Sequence, residues 1–273
     1  MADAFTHFGG IDFSGAREPL ANLWSAVGVE ENGKLRITSV RPHAFRADLG
    51  GFVLEGWKNA GGRSPERNPG EERILWGANF PFGLPAAFRT ATGAGQSWLK
   101  VLEWVADRPA DEVRQHAGDA ARATRATDTS GVLAPLDLRL YKQTVEGFRW
   151  LQQLREEGEV SIVPTAPSSA PVTLIEVHPS ATVIDLGLPR RRAPARPGEI
   201  RARAAALRPF MEFASPECES LVVTLEDAWD AAIACLTAWH CRDDLGQPFR
   251  SGRAGRTEVE HEGWIYRAPM AIS

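Results

Sequence analysis

Four separated segments set carboxylates or amides among apolar neighbours, where an unpaired charge costs several kcal/mol. Asp12 lies in Gly9-Gly10-Ile11-Asp12-Phe13-Ser14-Gly15, inside a run that reads as a strand. It must be paired, hydrogen-bonded, bound to a metal or capping the turn at the strand end. Asn79 closes the short apolar run from Arg73 and precedes Phe80-Pro81. Its amide oxygen would serve a hard cation without charge, or the residue is a turn former. Glu176 stands among Val172, Leu174 and Val177, with His178-Pro179 following. Its partner is a cation or an arginine. Asp227 and Asp230 are three residues apart on one helical stretch, which puts both acids on one face a turn apart. Asp227 also fits a Thr224-x-x-Asp227 capping arrangement, whereas Asp230 lies beyond the first turn among Ala228, Trp229, Ala231 and Ile233.

Carboxylates gathered from such places would repel one another without a cation. Oxygen donors suit Mg²⁺ or Mn²⁺, while zinc would favour His or Cys. A pair of such ions activates water and stabilises the leaving oxygen in phosphodiester cleavage. Other chemistries lack support, because the chain has no Gly-x-Gly-x-x-Gly loop, no Walker-type phosphate loop and no Gly-x-Ser-x-Gly elbow.

Basic residues are distributed unevenly. Lysine occurs only at 34, 58, 100 and 142, and arginine supplies the remaining basic residues. Arg190, Arg191, Arg192, Arg196, Arg201, Arg203 and Arg208 face a single acid, Glu199, over one stretch. That stretch is a candidate phosphate contact, or a solvated loop and helix. Arg122 and Arg125 with Asp128 form a second polar knot, either an ion pair or an arginine near the site.

The elements that must carry these groups follow from patterning. Phe5–Phe13, Leu23–Val29 and Leu35–Val40 read as strands, and Asn32-Gly33 between the last two is a hairpin signal, so the chain opens with an antiparallel meander. Asp48–Trp57 is weakly helical, and Arg73–Asn79 is a buried strand that the prolines 81 and 85 must end. Ser97–Asp107 and Tyr141–Arg155 are helices, Pro164–Pro171 a linker, Val172–Val177 a buried strand, Glu199–Phe213 an arginine-rich helix, and Thr224–His240 a long apolar helix that should be buried. The prediction is one α/β domain over 1–273, a mixed sheet flanked by helices, with a helical insertion at about 86–170.

Composition bounds the reading. The chain has 273 residues, a net charge of -4 and 43% hydrophobic residues, which excludes a disordered or low-complexity scaffold. It has no apolar run long enough to span a membrane. The first residues show no basic region followed by an apolar run, predicting no secretory leader. Three cysteines without zinc spacing predict a reduced, cytoplasmic setting.

Five segments in order carry a resemblance: Gly10-Ile11-Asp12-Phe13-Ser14-Gly15-Ala16, Asn79-Phe80-Pro81-Phe82-Gly83-Leu84-Pro85, Ile175-Glu176-Val177-His178-Pro179, Asp227-Ala228-Trp229-Asp230-Ala231 and Glu262-Gly263-Trp264-Ile265. The set resembles the domain-of-unknown-function 429 family, whose members are predicted RNase H-like nucleases. The resemblance implies an RNase H-like mixed five-stranded sheet in order 3-2-1-4-5, its first three strands antiparallel. It implies Asp12 on the central strand and Asn79 beside it on the fourth. Asp227 and Asp230 would come from the last helix, as in Holliday-junction resolvases. Glu176 would lie further off on the fifth strand, with His178 near the rim. A homodimer is compatible with such relatives.

The expected function is metal-dependent hydrolysis of DNA or RNA. The expected catalytic residues are Asp12, Glu176, Asp227 and Asp230. The expected Mg²⁺ or Mn²⁺ ligands are Asp12, Asn79, Asp227 and Asp230, and the substrate contacts are Ser14, His178, Arg125, Arg190, Arg191 and Arg192. Asn79 stands where the family often has Asp, and losing that charge should weaken a second cation. The alternatives are an inactive nucleic-acid- or partner-binding protein of the same fold and an actin-like ATPase or sugar-kinase half. The last would need a second phosphate loop in a second, related domain, for which the chain is short.

Overall fold

The computed structural model describes residues 5–13, 22–60, 72–129, 131–189, 197–251 and 254–268. Three strands, β1 (His7–Asp12), β2 (Trp24–Glu31) and β3 (Lys34–Pro42), form the antiparallel meander. Asn32 and Gly33 take φ of 53° and 74° in the turn between β2 and β3, the left-handed pair that a tight hairpin of native twist requires. β4 (Ile74–Asn79) then pairs parallel to β1, with Asp12 opposite Asn79. β5 (Val160–Val163) and β4 flank β6 (Val172–Val177), both parallel to it. β7 (Met211–Phe213) adds to β3, and β8 (Ile265–Tyr266) pairs with the end of β6.

Among the described residues this is one eight-stranded mixed sheet in the order β5-β6-β4-β1-β2-β3-β7, with β8 beside β6. The expected sheet had five strands. β5 lies just before the segment predicted as a linker, and β7 lies within the stretch predicted as helical. Both are short strands that need only a neighbouring edge, so local pattern hardly marks them.

Helices cover both faces. One layer holds α1 (Arg46–Gly51), a π-helical turn (Phe52–Gly56), α2 (Trp57–Ala60), α3 (Ala86–Thr92), α4 (Trp98–Ala106), α5 (Ala110–Ala117) and α6 (Tyr141–Glu157). Their apolar faces meet Ile11, Val27, Ile74, Trp76, Ala78 and Leu174 of the sheet. The other layer holds α7 (Pro179–Asp185), α8 (Pro197–Leu207), α9 (Pro216–Thr224) and α10 (Glu226–Cys241), packed against Phe8, Ala26, Leu75, Ile175 and Val177. Two short helices, α11 (Gln247–Arg250) and α12 (Arg256–Glu262), lead to β8. Residues 11 and 8, or 174 and 175, fall in opposite layers because successive strand side chains point to opposite faces.

α10 is buried along most of its length, as its composition predicted. It begins one residue later than the Thr224 cap suggested. Thr224 ends α9 and donates its hydroxyl to the Ser220 carbonyl, and Leu225 is the N-terminal flanking residue of α10. The helix lies close on β1 because Gly10 has no side chain. A Cβ there would come within 2.0 Å of the Ala231 carbonyl oxygen and 2.2 Å of the Cys235 nitrogen.

Candidate functional site

The strand register brings Asp12 and Asn79 together. They are opposite residues at the carboxyl ends of adjacent parallel strands, and Asn79 Nδ2 donates to Asp12 Oδ1 at 3.0 Å. Carboxyl ends of parallel strands at the centre of an open sheet are where α/β folds place their ligands. Gln143 of α6 secures this corner. Its Nε2 donates to the carbonyls of Phe13 and Asn79, each at 2.7 Å. Gln143 was not singled out from the sequence, since a polar residue early in an amphipathic helix looks like one that faces water.

The direction of α10 relates Asp12 to the acidic pair. Cys235 Sγ donates to the Phe8 carbonyl at 3.3 Å, and two residues further along β1 Gly10 meets Ala231. Near the other end of the helix the Trp239 indole donates to Glu30 Oε2 at 2.9 Å, beyond the amino end of β1, so strand and helix run antiparallel. The first two turns of α10, which carry Asp227 and Asp230, therefore lie toward the Asp12 end of β1. Gly10 and Asp12 point to the same face of the sheet, as do Gly77 and Asn79. The four expected metal ligands thus share the α10 side.

Among the described residues no three His, Cys, Asp or Glu side chains form a group that would hold a metal ion. The oxygen donors on this side are the carboxylates of Asp12, Asp227 and Asp230 with the Asn79 amide oxygen. A hard cation suits them only if water and substrate complete its coordination. Mg²⁺ binds in that way, through one or two carboxylates plus phosphate oxygens.

Glu176 belongs to a different assembly. It follows Leu174 on the face of β6 opposite to Ile175 and Val177, away from α10. Arg125 Nη1 and Nη2 donate to Glu176 Oε2 and Oε1, both at 2.6 Å, and the Phe82 amide adds a bond of 2.9 Å to Oε2. Asp128 takes Arg125 Nε at 2.9 Å and the Arg125 amide at 2.8 Å. Glu262 completes the knot. Its carboxylate accepts from the amides of Ala86 at 2.7 Å and Ala126 at 2.6 Å, and its carbonyl accepts from Arg125 Nη1 at 3.1 Å. Two loops, the end of β6 and the end of α12 are thereby tied in a buried polar cluster. Burial alone would lower the Arg125 pKa, but Glu176 and then Asp128 more than offset it, so the guanidinium is held above its ordinary value. Burial raises the Glu176 carboxyl, against the pull of Arg125 and the Phe82 amide. Arg125 and Glu176 are thus each other's partners. Local pattern assigns Glu262 no role, because its amide partners are 176 and 136 residues away.

His178 follows β6, flanks the start of α7 and is half-buried. Burial first and Arg267 second lower its pKa, leaving it neutral at pH 7. Ser14, Arg190, Arg191 and Arg192 lie outside the described residues. Of the arginine stretch that follows, Arg203 is buried. Its Nη1 donates to the Val223 carbonyl at 3.2 Å, and its guanidinium lies 5.5 Å from the Trp229 ring centre. That side chain holds α8 to α9 and α10 and does not face solvent. Arg201 and Arg208 are exposed.

The three cysteines are free thiols, with Cys235 and Cys241 buried. Burial pushes Cys241 up to about 12 and Cys235 higher still, which makes neither a nucleophile. No helix among the described residues is long and apolar enough to cross a membrane.

An α/β sheet with a polar site at its central strand ends is a frame shared by many enzymes and binding proteins. The sequence profile of the family described as "Protein of unknown function (DUF429)" matches residues 10–251, and the chain belongs to that family. Neither a curated protein nor a solved structure matches the chain.

Proposed function

We propose that the chain is an RNase H-like, Mg²⁺- or Mn²⁺-dependent nuclease whose reaction centre lies at Asp12. The observation that carries this reading is the hydrogen-bonded Asp12–Asn79 pair at the central strand ends, on the face covered by α10. The strand run β3-β2-β1-β4-β6 within the larger sheet supports the RNase H-like comparison. So does the antiparallel direction of α10, which carries Asp230 toward the same end of β1.

The chain's own residues divide the work. Asp12 and Asp230 supply charged oxygen donors, with Asp227 beside them, and Asn79 orients the Asp12 carboxylate through Nδ2. Gln143 fixes the backbone at both strand ends. When bound there, a divalent ion supplies charge neutralisation at a phosphodiester and a water of lowered pKa. Glu176 takes no part in that centre and acts through the Arg125 knot, which positions the loop after Asn79.

The test uses labelled single-stranded, duplex and four-way-junction DNA and single-stranded RNA with Mn²⁺. Cleavage that falls about 100-fold or more in both Asp12→Asn and Asp230→Asn, with their melting curves intact, supports the reading. Absence of metal-dependent cleavage on every substrate overturns it.

A second reading has its own observation. Asn79 turns an amide donor, not a second charge, toward Asp12, and the described residues lack a three-ligand metal group. That favours a non-catalytic nucleic-acid-binding protein. It requires substrate binding with no Mn²⁺ heat in calorimetry, and Mn²⁺ binding that disappears in Asp12→Asn rejects it.

A further inference from the structure

A cavity of about 260 Å³ opens beside Asn79 at the carboxyl ends of β4 and β6. Phe80, Pro81 and Leu133 give it apolar walls, and Asn79, Gln143 and His178 are the uncharged polar side chains along it. Arg125 and Glu176 also border it, but their charges are spent on each other. The cavity therefore offers no net charge for a phosphate. Its volume is below the roughly 300–1,000 Å³ of clefts that enclose drug-sized ligands, which suits a single ring system.

The amides define what that ring must carry. Gln143 commits Nε2 to two backbone carbonyls, and Asn79 commits Nδ2 to Asp12. Gln143 is left with its carbonyl oxygen alone, and Asn79 with its carbonyl oxygen and the second N–H of Nδ2. The His178 imidazole makes no hydrogen bond to another described residue and, being neutral, offers one donor and one acceptor. Two acceptor oxygens match the two N–H of an amino group on a planar ring held between apolar walls, with the Asn79 N–H and the imidazole left for the ring's own acceptors. Unstacked bases are read in this way, by contacts to their faces and hydrogen bonds to their edges.

We propose that this cavity is a base pocket that takes one nucleobase bearing an exocyclic amino group, next to the Asp12–Asn79 pair. It gives the centre at Asp12 a preference for adenine, cytosine or guanine over uracil or thymine. The inference rests on the nucleic-acid reading above and names its substrate preference.

The experiment is calorimetry of the full chain with adenosine, cytidine, guanosine and uridine, without divalent metal. At least one of the three amino-bearing nucleosides should bind with a millimolar or better Kd, and uridine about fivefold or more weaker, as expected for one lost hydrogen bond. Leu133→Trp, which fills the cavity from a half-exposed loop position, should abolish binding. His178→Phe should weaken it about fivefold, and circular dichroism would report whether that variant folds. No nucleoside binding at millimolar concentration overturns the pocket, as does equal binding of uridine or binding that survives Leu133→Trp. The two readings fail separately. Nucleoside binding without metal-dependent cleavage removes the nuclease, and cleavage without nucleoside binding removes the pocket.

Discussion

Arg125 grips Glu176 with both ends of its guanidinium, through two bonds of 2.6 Å between side chains that are 1% and 4% exposed. A fork of this kind, in the buried loop cluster behind the strand ends, gives Glu176 a positioning role. Removing one partner strands a buried charge, whereas removing both does not. Arg125→Met should cost about 3–5 kcal/mol of stability in urea unfolding, and Arg125→Met/Glu176→Leu less than the two single losses added. A single-variant loss below about 1 kcal/mol would show that the pair is not the tie described.

Gly10 should be intolerant of even one methyl group. Its Cβ would meet backbone atoms of α10 at 2.0 and 2.2 Å, and backbone has no rotamer by which to yield. Gly10→Ala is expected to destabilise by about 2 kcal/mol or more as α10 lifts from β1. Gly33→Ala has nothing within 4 Å but a φ of 74°, so it should cost only about 1 kcal/mol of backbone strain. Thermal melts of the two variants should rank them in that order.

His43 predicts a pH dependence. Its Nε2 shares a 2.7 Å hydrogen bond with Ser25, and burial first, with Arg41 second, lowers its pKa from 6.5 to about 4. The unfolded chain therefore binds a proton between pH 6.5 and 4 that the folded chain refuses. This contribution is complete above pH 6.5 and is lost as pH falls toward 4. By pH 4.5 the loss should reach about 2 kcal/mol. Urea midpoints at pH 7 and 4.5 should differ less in His43→Gln than in the parent. An unchanged difference would remove His43 as a cause.

Asn79→Asp tests the charge at the centre. A second carboxylate opposite Asp12 forfeits the Nδ2 bond and adds like-charge repulsion, for a cost of about 1–2 kcal/mol without metal. Mn²⁺ should reverse that cost, because a ligand bound only to the folded state stabilises it. The Mn²⁺-induced rise in Tm should thus be larger for Asn79→Asp than for the parent. Equal rises would place the cation away from Asn79.

Much of the frame was legible because its signals are local. Asn32-Gly33 marked a turn by backbone preference, alternating and apolar runs marked β1 to β4 and β6, and the composition of residues 224–240 marked a buried helix. The candidate site was legible in part. Asp12 and Asn79 stood out as polar groups at the ends of apolar strands, and they are paired. Glu176 stood out for the same reason, yet its partner is Arg125, one of the two options the sequence left open. Ring stacking and a backbone carbonyl bury Arg203, although its neighbours in sequence are those of a solvated helix.

By itself, the sequence determined which residues could not be buried alone and which segments must be strands or helices, since propensity and period act over a few residues. Tertiary structure alone decided who their partners are. Strand register set Asn79 opposite Asp12, and the two-residue alternation of β6 turned Glu176 to the face opposite α10. A loop 51 residues earlier in the chain brought Arg125 to Glu176 on β6. Such pairings depend on chain segments that meet only when the sheet closes, and no local pattern encodes the meeting.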